Sequence, residues 1–437
     1  SEYLEDGAVA KNDSVAPTIN SIDVIKLSDT SFRVKVNATE IGSGIAKVEY
    51  SIDGGKSYVT PNYVKDTSYV FSNLEGNFEK YNIKVKVTDA SGNTSDSSQQ
   101  YQMITEKLIP SGFYYVGGSK YSGVVISDNS NDKEKYYGKD VVGTDLQGNQ
   151  FVWIPCTTDS SSAKLQYARI EWGVEEDGDD NSRAIKDELT LTDASVTYSD
   201  ADTANGINAD VSKDIVAQIK AEKASVAQYG GYYIGRYEVG KNGDTAVVKY
   251  NQTPYAEITW STAYGLAKKI ITNSEATSYL CSSYAWDTAV NFIQNNSTAK
   301  NYATSIEGFN GNWNTQEVKD PSGNVIKPAG TSQQLNTGLT TQFCNIFDMG
   351  GNEAEFTTEL NPGTSETVVL RGGNFNYHYG PAGYRWDIVS GNARTDHGFR
   401  ATLFLTNNQV KMPIISSIQY ASNGFDSTQA VIGDKVT

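Results

Sequence analysis

Residues Val369–Leu405 read VLRGGNFNYHYGPAGYRWDIVSGNARTDHGFRATLFL. Gly372-Gly373 marks a point where the backbone turns tightly or approaches a neighbour, since any Cβ would hinder both. Arg371 and Arg400 flank the interior and are natural partners for buried carboxylates or carbonyls. Between them, residues 374–400 contain no Lys, Glu, Gln or Met, although these four types make up 70 of the 437 residues. Composition alone produces that absence about once in a hundred tries. Random change of the first two bases of an asparagine codon reaches Phe, Ser, Tyr, His, Arg, Ile, Thr, Val, Ala, Asp and Gly, but not Lys, Glu, Gln, Met or Trp. Apart from Trp386, the stretch has the spectrum of adenine-directed diversification. Tyr377, Tyr379, Tyr384 and Trp386 offer rigid amphipathic contact area at low entropy cost. Asn374, Asn376, His378, Asp387, Ser390, Asn392 and Arg394 add adaptable hydrogen bonding. Together these are the candidate ligand-binding residues.

The rest of the composition restricts the function. Thirty-six Lys and Arg against 52 Asp and Glu leave a net charge of −16. That surface is poorly suited to nucleic acid, which needs cations for its phosphates. Cys156, Cys281 and Cys344 are scattered and only two histidines are present, so neither a Cys/His zinc site nor a disulfide framework is expected. Tyrosine supplies 28 of the 48 aromatic residues. With abundant Asn, Ser, Thr and Gly, this favours strands, turns and polar recognition surfaces of an extracellular kind. No apolar run approaches the ~20 residues of a membrane span and no signal-peptide pattern opens at Ser1. Membrane attachment is expected only through a segment absent from this chain.

Along the chain, residues 1–16 read as a lead-in. Residues 17–104 alternate with period two, as at Phe32, Val34, Val36 and at Ile83, Val85, Val87. Turn signals stand at Asp53-Gly54-Gly55 and at Asp89-Ala90-Ser91-Gly92-Asn93, so a small antiparallel sandwich is expected. Residues 105–408 mix strands (SGFYYVGG, GVVISD, NQFVWIP) with helices marked by Ile215, Ile219 and Val226, by Trp260 after a Thr259 cap, and by Tyr284-Ala285-Trp286. The acidic stretch Glu171–Asp210 reads as a solvated insertion. Residues 409–437 read as a linker and the first part of a second repeat.

The segments VEYSIDGGKSY and YNIKVKVTDASGNTS resemble bacterial immunoglobulin-like and fibronectin type III-like modules that serve as spacers on surface proteins. In the large region, YGGYYIGRYEVG (Tyr229–Gly240), PYAEITWSTAYGLAKKI (Pro254–Ile270), NIFDMGGNEAEFTTE (Asn345–Glu359) and the RGG and GFR boxes resemble the formylglycine-generating-enzyme/sulfatase-modifying-factor domain, a variant of the C-type lectin fold. The fold implied is an all-β immunoglobulin-like sandwich followed by an α+β C-type lectin domain. Oxidase members of that family carry two copper-binding cysteines shortly after the RGG box. Asn374–Arg385 has none, so no enzymatic activity and no redox metal are expected. The family's calcium segment, carried over, makes Asp348 and Glu355 side-chain ligands and gives Gly351 and Glu353 carbonyl roles around a structural calcium. The pattern RGG…AG…GNA…GFR is similar to the variable region of diversity-generating-retroelement target proteins. What this implies is a cell-surface adhesin or receptor whose head captures an unknown protein ligand through a hypervariable patch at about 374–397. The alternatives are an oxidoreductase lacking the usual cysteines, and a structural component of a surface array or phage virion.

Overall fold

The computed structural model describes residues 13–63, 68–176, 179–180 and 186–406. Most of the lead-in, and the second repeat expected in 409–437, lie outside the described residues. The first part of the chain is a sandwich of two three-stranded antiparallel sheets. One contains β1 (Thr18–Ser28), β2 (Ser31–Thr39) and β4 (Ser68–Phe71), in the order β1-β2-β4. The other contains β3 (Ile45–Ser51), β5 (Lys80–Asp89) and β6 (Thr94–Gln102), in the order β3-β5-β6. The period-two pattern is the reason. Phe32, Val34 and Val36 turn inward from one sheet to meet Val48, Tyr50, Ile83, Val85 and Val87 from the other, while their polar neighbours face water. Asn93 closes the β5–β6 turn, its backbone N–H donating to Asp89 Oδ1 at 2.8 Å.

A second, larger core spans the remainder. Its main sheet has seven strands, β7 (Tyr114–Gly117), β8 (Val124–Ser127), β9 (Gln150–Pro155), β10 (Gly231–Gly235), β11 (Thr272–Asn273), β12 (Ala276–Leu280) and β17 (Ala401–Leu405), in the order β11-β12-β17-β10-β9-β8-β7. A four-stranded sheet carries the boxes: β13 (Ala354–Leu360), β14 (Val368–Arg371), β15 (Arg385–Ile388) and β16 (His397–Phe399), ordered β15-β14-β13-β16 with β13 and β16 parallel. The three longest helices among the described residues accompany these sheets. Helix α1 (Ala209–Tyr229) is capped by Asn208, whose Oδ1 accepts from Asp210 and Val211, and ends at Gly230 with φ +75°. It buries Ile215, Ile219 and Val226, the stripe its sequence spacing requires. Helix α2 (Trp260–Ala267) starts from the Thr259 cap, and α3 (Ser283–Asn296) from a Ser282 cap. Trp153, Trp260, Trp286 and Trp313 are fully buried.

Two findings depart from the sequence reading. The acidic stretch is not simply solvated: Glu188, Leu191, Asp202 and Ile207 are all buried. Glu188 accepts from the Ser283 backbone and hydroxyl at 2.8 and 2.7 Å, and Asp202 forms a capping box with Ser199. Hydrogen bonds from backbone and hydroxyl groups compensate the loss of water around these carboxylates. The second finding is the junction. Phe78, from the sandwich, belongs to the large core, stacked on Tyr115 at 6.3 Å and edge-on to Trp153. Beside it Asn77 Oδ1 accepts from the Trp153 indole at 2.7 Å.

Candidate functional site

Around the RGG box, both glycines adopt left-handed backbone, φ +85° at Gly372 and +67° at Gly373. A Cβ on Gly372 would sit 2.5 Å from the Met349 carbonyl oxygen, and one on Gly373 2.6 Å from that of Gly380. The turn is therefore restricted to glycine twice over, by dihedral and by close approach. Arg371 runs inward from it to an ion network that is buried except at Arg169. It donates to Asp287 Oδ1 at 2.6 Å and to the Tyr384 carbonyl at 3.1 Å. Arg385 holds the other Asp287 oxygen at 2.7 Å and Glu359 at 3.1 Å, and Arg169 closes on Glu359 at 2.5 Å and Glu188 at 3.4 Å. Three guanidinium groups thus meet three carboxylates. Burial pushes the Asp287 carboxyl up, and Arg371 and Arg385 pull it back below its usual value. This platform underlies the segment between the boxes. Sequence reasoning named Arg371 but missed Asp287, Glu359, Glu188 and Arg169.

Above the platform the loop is pinned on one side by the strap at residues 313–315. Trp313 Nε1 donates to the Gly380 carbonyl at 3.0 Å, Asn314 N to that of Tyr377 at 3.0 Å and Thr315 Oγ1 to that of His378 at 3.1 Å. With its backbone held, the loop turns several side chains outward. Asn376, His378 and Arg394 are exposed, and Tyr377, Tyr379, Trp386, Asp387 and Asn392 are partly so. Tyr377 stacks on Trp386 at 6.3 Å with the planes 20° apart, and Tyr379 meets Tyr384 edge-on. Asn376 Nδ2 and the Arg394 guanidinium converge on buried Asp396, at 3.0 Å and at 2.8 to 2.9 Å. Three candidate ligand-binding residues are corrected. Asn374, Tyr384 and Ser390 are buried and cannot meet a macromolecular ligand directly. Asn374 instead uses its side-chain oxygen to accept from Asn376 N at 3.0 Å. Tyr384 lies beneath Tyr377 and Tyr379 as a support for their rings.

His397 is buried too. Both ring nitrogens lack a hydrogen-bond partner, and Asp396 stands 3.8 Å away. Burial pushes the imidazole down from 6.5 to about 4, against the pull of Asp396. Between those values the unfolded chain holds a proton that the folded one does not. The contribution of His397 to stability therefore rises with pH from 4 to 6.5 and is lost as pH falls, by roughly 3 kcal/mol over the whole window. Glu222 and Glu355, both pushed up to about 7 chiefly by burial, slope the other way above pH 4.5, so the measurement compares variant with parent. In urea titrations the stability of the parent relative to His397→Gln should increase by roughly 3 kcal/mol from pH 4 to 6.5. Parallel curves would mean that His397 does not titrate with folding.

In the segment assigned to calcium, buried Asp348, Glu353 and Glu355 meet buried Glu238 and Arg400 from elsewhere in the chain. Both Glu355 oxygens pair with the Arg400 guanidinium at 2.5 and 3.0 Å. Asp348 Oδ1 accepts from the Thr340 hydroxyl at 2.5 Å, and Glu353 Oε1 from Gln334 at 2.7 Å. Glu238 accepts from Glu353 N and from the Asn352 amide at 3.0 and 2.7 Å. Among these groups Glu353 Oε2 is left without a partner. Burial raises the proton affinity of all four. The donor set does not fit the calcium role assigned to Asp348, Gly351, Glu353 and Glu355. A hard cation needs six to eight oxygens, and here both oxygens of Glu355 are already taken by Arg400 while Asp348 Oδ1 is held by Thr340. Among the described residues one cluster of three acidic groups close enough to share an ion occurs, at Asp13, Glu40 and Asp89 of the sandwich.

Comparison with known proteins adds little to this geometry. A family model described as a domain of unknown function (DUF7743) matches residues 11–121, the sandwich together with β7. No curated protein matches the chain. Among solved structures, the PKD1 domain of Vibrio anguillarum Epp is 14% identical, covering 21% of this chain and 96% of its own at a TM-score of 0.17. The PKD1 domain of the Vibrio cholerae metalloprotease PrtV is 16% identical, covering 20% and 98% at 0.17. CarF is 13% identical, covering 40% and 87% at 0.27. Likenesses this distant leave the fold resting on the strands themselves. No helix among the described residues is long and apolar enough to cross a membrane.

Proposed function

We propose that the large domain is a C-type lectin fold of the formylglycine-generating-enzyme type, and that the chain is a non-enzymatic, surface-displayed protein which captures a protein ligand on the face formed by residues 376–379, 386–387 and 392–394. The observation that carries the reading is the pairing of an outward aromatic cluster with a rigid base. Tyr377 and Trp386 are stacked and partly exposed, while the backbone beneath them is held by buried Arg371, Arg385, Asp287 and Glu359. Such an arrangement lets side chains change without disturbing the fold, as a diversified patch requires. Aromatic anchors on a preorganised surface lose little entropy on binding. The absence of cysteine from Asn374–Arg385 leaves the copper chemistry of the oxidase members without ligands and supports binding over catalysis. The extracellular setting rests on composition.

The test is genetic first. Sequencing the locus from related isolates should reveal substitutions confined to adenine-bearing codons of residues 374–397, beside a near-copy template repeat and a reverse transcriptase. Substitutions spread evenly over the domain would overturn the reading. With a ligand in hand, Tyr377→Ala or Trp386→Ala should weaken affinity by ~2 kcal/mol or more, about thirtyfold, while the melting temperature stays near that of the parent. Unchanged affinity in both variants would place the interface elsewhere.

A further inference from the structure

A cleft of about 720 Å³ lies where the sandwich meets the large domain, within the range of small-molecule sites. Its floor is apolar, with buried Cys156 and Phe292. Its rim is rich in carboxamides: Asn77 comes from the sandwich, and Asn291 and Asn295 come from the last turns of α3. Asn77 gives its oxygen to Trp153, and Asn295 gives its amide to the Asn291 oxygen at 3.1 Å. The Asn77 and Asn291 amino groups and the Asn295 oxygen are left for a ligand. Tyr121 lines the opening with 55% of its surface exposed, and Lys120 Nζ stands 5.0 Å from its ring centroid, which leaves the other face for a ligand.

The charges at the mouth cancel. Glu75 joins Lys120 at 2.9 Å and Lys164 at 3.1 Å, and Glu79 holds Lys120 as well. An anionic ligand would have to break these pairs, and a cationic one would find no open carboxylate, so the cleft suits a neutral molecule. Carboxamides present donor and acceptor side by side, the complement of adjacent hydroxyl groups. A tyrosine ring and an apolar floor complement a C–H face. We propose that this cleft binds a neutral saccharide, with Tyr121 against one face of the sugar ring and Asn77, Asn291 and Asn295 reading its hydroxyls. The site differs from the patch at 376–394 in both position and chemistry. It is assembled only when the sandwich and the large domain are docked, since each supplies one wall.

The experiment applies the full chain to an array of neutral and acidic mono- to tetrasaccharides, followed by calorimetric titration of any saccharide retained. At least one neutral saccharide should bind. Tyr121→Ala and Asn291→Ala should each weaken it at least tenfold, with melting temperatures near that of the parent because Tyr121 is exposed and Asn291 is only partly buried. Trp386→Ala should leave it unaltered, which separates this site from the proposed protein-binding face. Retention of no saccharide, a preference for acidic over neutral ones, or full affinity in both cleft variants would each overturn the proposal.

Discussion

Arg400→Ala should cost the large domain about 3–5 kcal/mol, the range for removing one partner of a buried ion pair. Arg400 is fully buried and holds both oxygens of Glu355, the Asp348 carbonyl and the Gly235 carbonyl, each at 2.5 to 3.0 Å. Glu238, Asp348 and Glu353 are buried around the same point, and no other cation among the described residues is ion-paired to the four. Without the guanidinium each group has to hold a proton to stay buried. In the variant, then, the carboxyl groups hold protons that the unfolded chain releases above pH 4.5. Stability consequently falls as pH rises through that value. The loss should be clearly larger at pH 8 than at pH 5 in guanidinium titrations. An equal loss at both would show that Arg400 acts through packing rather than charge.

Phe78→Ala should also cost about 3–5 kcal/mol, the usual range for truncating a core aromatic residue, and its signature is different. Phe78 is fully buried yet belongs to the sandwich, its backbone N–H donating to Thr105 Oγ1 at 2.9 Å and its carbonyl accepting from Gln102 at 2.8 Å. Its ring fills the space between Tyr115 and Trp153. Calorimetry of the parent should show the two units melting together, and the variant should show the sandwich melting separately. A single undisturbed transition in Phe78→Ala would mean that the junction holds by other contacts, such as Lys26 Nζ on the Ile104 carbonyl at 2.6 Å and the Glu106 and Lys107 N–H groups on Asp29.

The two variants act at opposite ends of the molecule's logic. Arg400 belongs to the GFR box, which holds the scaffold of the proposed binding face. Phe78 holds the wall of the cleft that Asn77 and Glu75 line. In the first variant the face should lose its ligand only as the fold is lost. In the second, saccharide binding should weaken before the large domain unfolds.

Local patterns were legible in the sequence because they depend on neighbours a few residues apart. The alternation at Phe32, Val34 and Val36 specified a strand with one buried face, and Ile215, Ile219 and Val226 specified the inward stripe of α1. Thr259 announced a helix start, and the glycine pair at 372–373 announced a backbone that no other residue could follow. What the tertiary structure alone decided is which distant groups meet. Asp287 reaches Arg371 across 84 positions and Arg385 across 98. Nothing in the local sequence of α3 separates a carboxylate aimed at buried arginines from one aimed at water. The division within the candidate patch is of the same kind. Tyr377 and Tyr384 have the same side chain in the same eight-residue stretch, but the loop turns one ring partly outward and the other beneath it. Composition states which contacts a surface could make; only the packed chain decides which side chains are left at the surface to make them.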